Sequence, residues 1–115
     1  MSTFTVSIGR NIDGEPMPRE RWIKFQARVE GTIQDLHDVT VFFAGRGGGI
    51  WEGRYEEAAT WVFGWSESLG LPGEWKRFLD DLAYWADQYD QDAIAVTTGS
   101  TRFVEAKGKP ARRTA

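Results

Sequence analysis

Ala44-Gly45-Arg46-Gly47-Gly48-Gly49-Ile50-Trp51-Glu52-Gly53-Arg54-Tyr55-Glu56-Glu57 lies between two apolar, strand-like runs, and its reading decides the fold. Taken as the connection of a β-hairpin, it makes Val39–Phe43 and the alternating run that starts at Ala59 neighbouring antiparallel strands. Glycine tolerates positive φ and lets other groups approach the backbone closely, at an entropic cost. The glycines at 45, 47, 48 and 49 therefore predict a long flexible loop at the hairpin tip, with Arg46, Trp51 and Arg54 around it.

Upstream, Phe4, Val6 and Ile8 alternate with Thr3, Thr5 and Ser7, the period of a half-buried strand. Gly9 to Pro18 reads as a loop, punctuated by Asn11, Asp13, Gly14, Pro16 and Pro18. Pro18 suits the first turn of a helix, where its missing N–H is not needed. Trp22, Phe25, Val29, Ile33 and Leu36 then mark one helical face. Gly31 interrupts the stripe, but Ile33 and Leu36 keep its phase, so the helix is expected to reach about Asp35. Downstream, Trp61, Phe63 and Trp65 alternate with Thr60 and Val62. Pro72 is expected to open a second helix with Trp75, Phe78, Leu79, Leu82, Ala86 and Tyr89 inward and Trp85 at its edge. Ala93–Thr98 reads as a last strand, with a short return at Phe103-Val104.

The order strand, helix, strand, strand, helix, strand predicts an α+β fold. With right-handed crossovers it is the ferredoxin-like βαββαβ arrangement: a four-stranded antiparallel sheet with two helices on one face. Phe4, Val6, Ile8, Val39, Val41, Phe43, Ile94 and Val96 are expected to face the helices. Thr5, Thr40, Phe42, Ala44, Ala93, Ala95 and part of the Trp61–Trp65 set fall on the open face. Small and moderately apolar, that face resembles a sheet-to-sheet homodimer interface.

The 115 residues suffice for one domain, placed at 1–106. A basic tail, 107–115, is expected to be disordered around Gly108 and Pro110. It holds four of the 14 basic side chains, leaving 10 basic against 17 acidic ones in the body. So acidic a body repels phosphate backbones, which argues against nucleic acid as a partner, the tail aside. No apolar run approaches the length of a membrane helix, and the N-terminal residues lack an export pattern, so a cytoplasmic protein is expected. The absence of cysteine rules out disulfides, thiolate metal sites and cysteine nucleophiles.

Most catalytic chemistry fails on spacing. Gly49 leads into Ile50-Trp51 rather than Lys-Ser/Thr, so the glycine run is no P-loop, and Ile50 occupies the third glycine position of a dinucleotide fingerprint. Backbone N–H groups of Gly47–Gly49 remain candidates for an anion-binding nest, with Arg46 and Arg54 as charge partners. His37 is the only histidine and sits at a helix C-terminus, where it suits the dipole. Asp87, Asp90 and Asp92 lack calcium-loop spacing, so no metal or cofactor is expected. Glu56 and Glu57, adjacent on a strand, face opposite sides; one of them buried near Arg54 or Arg10 would suit a general base, but a salt-bridged strand entry is the expected role.

Gly9-Arg10, Trp22 and Phe25, the Gly-x-Gly-x-x-x-Trp-x-Gly stretch Gly45–Gly53, Glu57 and Tyr89-x-Gln91-Asp92-Ala93-Ile94 resemble a group of small proteins of actinobacteria and their phages. The resemblance covers residues 3–104. It implies the ferredoxin-like fold and a phage or bacterial accessory role, and it brings no catalytic residue.

Together these readings predict a non-catalytic interaction protein in the host cytoplasm. It would engage a host protein or small anionic ligand through Arg46, Gly47, Gly48, Gly49, Trp51, Arg54 and Tyr55. The alternative is a small-molecule-binding protein or enzyme of the dimeric α+β-barrel type, with Arg10 and Glu57, together with Tyr55, lining a pocket between sheet and helices.

Overall fold

Alternation at residues 3–8 gives strand β1, Ser2–Gly9, whose Phe4, Val6 and Ile8 are buried while Thr3, Thr5 and Ser7 stay half-exposed. The structure is a computed structural model that describes residues 2–66, 73–100 and 104. The stretch read as a loop after β1 instead folds back on itself as a small arm. In it β2, Asn11–Ile12, pairs with β3, Glu15–Pro16, around Asp13 and Gly14 at positive φ. Helix α1, Arg19–Gln34, follows, with Pro18 as N-cap accepting the Trp22 N–H and Asp35 as C-cap. Its buried face is Trp22, Phe25, Val29 and Ile33, the stripe that the spacing predicts.

The glycine stretch is not a loop. It lies inside a 12-residue strand β4, Thr40–Trp51, which pairs along its length with the equally long β5, Arg54–Trp65. The hairpin turn is the dipeptide Glu52-Gly53, at φ 51° and 77°. Two successive positive φ values fit a type I′ turn, whose twist matches the flanking strands, and glycine takes the second position without strain. Helix α2, Glu74–Gln88, and strand β6, Ala95–Ser100, complete the fold. Pro72 and Phe103 lie outside the described residues, and Val104 is exposed and in no strand. So do residues 107–115, read as the basic tail.

The four long strands form one antiparallel sheet in the order β4-β5-β1-β6, with β1 between β5 and β6. Cross-strand partners share a face, so the register assigns every position. Phe4 pairs with Phe63, Val6 with Trp61 and Val96, and Ile8 with Ala59. This face meets both helices: Phe4 packs on Trp75, Phe63 on Phe78, and Trp65 on Trp75.

Two face assignments differ from the sequence reading. Trp61, Phe63 and Trp65 are all buried against the helices, and none reaches the open face. In β4 a bulge at Phe42 shifts the phase, so Val41 pairs with Phe63 but Phe43 with Val62 and Ala44 with Trp61. A bulge sets two residues of one strand opposite one of its neighbour, so everything after it changes sides. Phe43 therefore lies on the open face and Ala44 on the helix side. At the other edge, β6 starts at Ala95 rather than Ala93.

The indole N–H groups of Trp22 and Trp65 are enclosed without an acceptor among the described residues. Burying about 200 Å² of aromatic surface contributes roughly 5 kcal/mol, against about 1–3 kcal/mol for one unpaired donor. Packing wins at both positions.

Candidate functional site

β1 pairs with β5 only between Ala58 and Trp65, so the distal halves of β4 and β5 continue beyond the sheet as a two-stranded ribbon. β4 is an edge strand, paired among the described residues with β5 alone, and half of its backbone groups face outward. On the ribbon Ile50 pairs with Tyr55, and the two are 77% and 70% exposed, in a molecule whose other long apolar side chains mostly pack inward.

The glycines of β4 serve different ends. A Cβ at Gly48 would collide with the Tyr55 ring, which lies across it from the neighbouring strand, and a Cβ at Gly45 would meet the Phe43 ring. At Gly47 and Gly49 a Cβ would meet nothing. None of these four has positive φ. The nest expected at Gly47–Gly49 is therefore not formed, because consecutive N–H groups of a strand point to opposite sides and cannot converge on one anion.

The remaining expected residues are distributed along the ribbon. Arg46 pairs with Ala59 and lines an open groove of about 300 Å³ between α1 and β4, with Ile23, Glu30 and Trp61. Trp51 ends β4 and pairs with Arg54 across the turn. The Arg54 guanidinium fills the space a Cβ on Gly14 would take, which sets it against the arm. Thus Arg46 and Arg54 sit at different levels and do not form one charged cluster.

Arg10 and Glu57 do come together. Arg10 Nη1 donates to Glu57 Oε2 at 2.7 Å, Arg10 Nε donates to the Met17 carbonyl at 2.8 Å, and the Arg10 N–H reaches the Glu57 carbonyl at 2.9 Å. Glu56, on the opposite side, accepts the Asn11 N–H at 2.7 Å and lies over Gly9. Asn11 Nδ2 donates to the Tyr55 carbonyl at 3.3 Å, and Gln91 Nε2 to the Asn11 carbonyl at 3.0 Å. The two adjacent acids thus clamp the ribbon's base to the arm from both sides. Alternation on a strand put them on opposite faces, as the sequence indicated, while Asn11 and Gln91 gave no signal because their bonds run through backbone atoms of a non-periodic segment.

Glu74 was also missed. It is 8% exposed, and its Oε2 accepts the His37 N–H at 2.6 Å, tying the α1–β4 corner to the first turn of α2. An acid at a helix N-terminus was the available signal. The His37 side chain is exposed beside Asp38, with Nε2 at 3.2 Å from Oδ2. A second open groove, about 340 Å³ between α2 and β6, is lined by Leu79, Asp87, Asp92 and Val96. Among the described residues no three His, Asp or Glu side chains gather in a metal-binding arrangement. No described helix is long and apolar enough to cross a membrane.

No family model and no curated protein matches the chain. Among solved structures, a phage SAM lyase in the apo state is similar to it, with a TM-score of 0.47, 15% identity, and coverage of 85% of this chain and 78% of that one.

Proposed function

We propose that this chain is a non-catalytic interaction protein that engages a partner protein through the β4–β5 ribbon, as a phage accessory protein acting in the host cytoplasm. The observation that carries the reading is the exposed Ile50–Tyr55 pair on a ribbon whose β4 edge has no strand partner among the described residues. Binding energy in protein interfaces concentrates in a few large side chains, and an open strand edge offers a partner backbone hydrogen bonds. Arg46 lies on the same face as that pair, nearer the sheet, and Arg54 stands beside Tyr55 on the opposite face.

Protein is favoured over a small anionic ligand because Gly47–Gly49 are extended and the two arginines stand apart. The α+β-barrel alternative draws less support. It wants an enclosed cavity with convergent polar groups, whereas both grooves are open and Arg10 and Glu57 satisfy one another.

The test is affinity capture from bacterial host lysate with the tagged full chain. Wild type is expected to retain a defined protein that the Ile50→Ser/Tyr55→Ser and Arg46→Ala/Arg54→Ala variants lose at unchanged melting temperature. Capture that survives both pairs of substitutions would make the ribbon a mere connector.

A further inference from the structure

The sheet face turned away from the helices is a separate surface with its own chemistry. Register places Thr5 and Ser7 of β1, Thr60 and Val62 of β5, Phe43 of β4 and Thr97 of β6 on it. None is charged, in a chain with 14 basic and 17 acidic side chains. At its centre the Ser7 and Thr60 hydroxyls bond each other at 2.8 Å across β1 and β5. That bond satisfies part of their polarity within the face, which lowers the cost of removing water from it. Glu56 bounds the face at one end, its carboxylate held by the Asn11 N–H. Phe43 stands at the β4 edge, 56% exposed, while the β6 edge opposite carries only small residues around Thr97.

We propose that this face packs against the same face of a second copy, sheet on sheet, in a two-fold dimer. A two-fold axis running along the strands seats the Phe43 ring of each copy over the small-residue β6 edge of the other, so one bump-and-hollow contact is made twice. Four strands at about 4.8 Å spacing and roughly eight residues at about 3.3 Å each give a face of about 500 Å². Two copies then bury about 1,000 Å², the lower bound for a specific interface. A second copy fits better than an unrelated partner because an uncharged face offers no charge pattern to select one, whereas self-complementarity needs only its own bump and hollow. The proposal is independent of the ribbon reading, whose side chains are not on this face's centre.

Sedimentation of the full chain at tens of micromolar is expected to show twice the monomer mass, in the concentration range typical of a small interface. Thr5→Arg, at the centre, and Thr97→Arg, at the exposed β6 edge, are each expected to weaken association about 100-fold while keeping the far-UV spectrum, since a charge would be buried unpaired. Ile50→Ser/Tyr55→Ser and Lys24→Ala at an exposed position of α1 should leave the dimer intact. Should Thr5→Arg fail to fold, Thr97→Arg decides alone, because its side chain is exposed in the monomer. A monomeric wild type overturns the proposal. So does a dimer that persists in the folded Thr97→Arg variant, or one that the ribbon substitutions dissolve.

Discussion

β5 has two halves of different character. From Ala59 to Trp65 every second side chain is buried against two helices, and β1 pairs alongside. From Arg54 to Glu57 the same strand has β4 on one side, and Tyr55 lies open on its surface. The backbone is extended throughout, so the contrast comes from what stands next to the strand. The inner half owes its place to apolar area; the outer half is held by a handful of polar bonds to the arm. Such a division keeps a rigid scaffold behind a surface of low local stability, the usual arrangement where a protein makes contacts.

Removing one ring from each half gives the largest expected difference. Phe63→Ala empties a site in contact with Phe4 and Phe78 and is expected to cost about 3–5 kcal/mol in urea unfolding. Tyr55→Ala, at an exposed position, should stay within about 0.5 kcal/mol of wild type. Comparable losses would mean that the ribbon is an integral part of the core.

The inner half was legible in the sequence because burial imposes a period. The Trp22–Ile33 stripe and the Trp61–Phe63–Trp65 alternation each carry a repeat that only one element satisfies. The outer half carries none. Glycine has low strand propensity, and four glycines in β4 hid a strand that cross-strand pairing and the Tyr55 ring hold extended. The better signal was Glu52-Gly53, an X-Gly dipeptide between Trp51 and Arg54 that marks the turn. The bulge at Phe42 was illegible for a related reason, since Val41-Phe42-Phe43 is apolar at every position and shows no phase to break. Of the candidate site, the acids at 56 and 57 and Arg10 could be found by alternation and charge. Their anchoring partners, Asn11 and Gln91, could not.

A smaller effect is expected from the clamp that joins the halves. Glu57→Ala removes the carboxylate from Arg10, a pair that is partly solvated, with side chains 22% and 35% exposed. The global loss should be about 1 kcal/mol, since Arg10 keeps its bond to the Met17 carbonyl. Amide hydrogen exchange is the sharper measurement: protection at Gly49 and Glu56, which pair across the ribbon, should fall much more than at Phe63 and Val6. A uniform fall across both halves would show that they open as one unit.

The smallest expected effect separates two glycines that adjoin in β4. Gly47 has open space where a side chain would stand, so Gly47→Thr gains strand propensity and is expected to stabilise by about 0.5–1 kcal/mol. Gly48→Thr meets the Tyr55 ring, which must swing away and expose both itself and the strand beneath, so the substitution is expected to be neutral or destabilising. The pair of urea midpoints therefore reports whether the ring rests on the strand in solution. Equal gains at both sites would show that it does not, and that the ribbon's aromatic surface is already free for a partner. If instead only Gly47→Thr stabilises, and it also abolishes partner capture, then Gly47 lacks a side chain because another backbone approaches it. That outcome would move the glycine from a weak point of the strand to the point of contact.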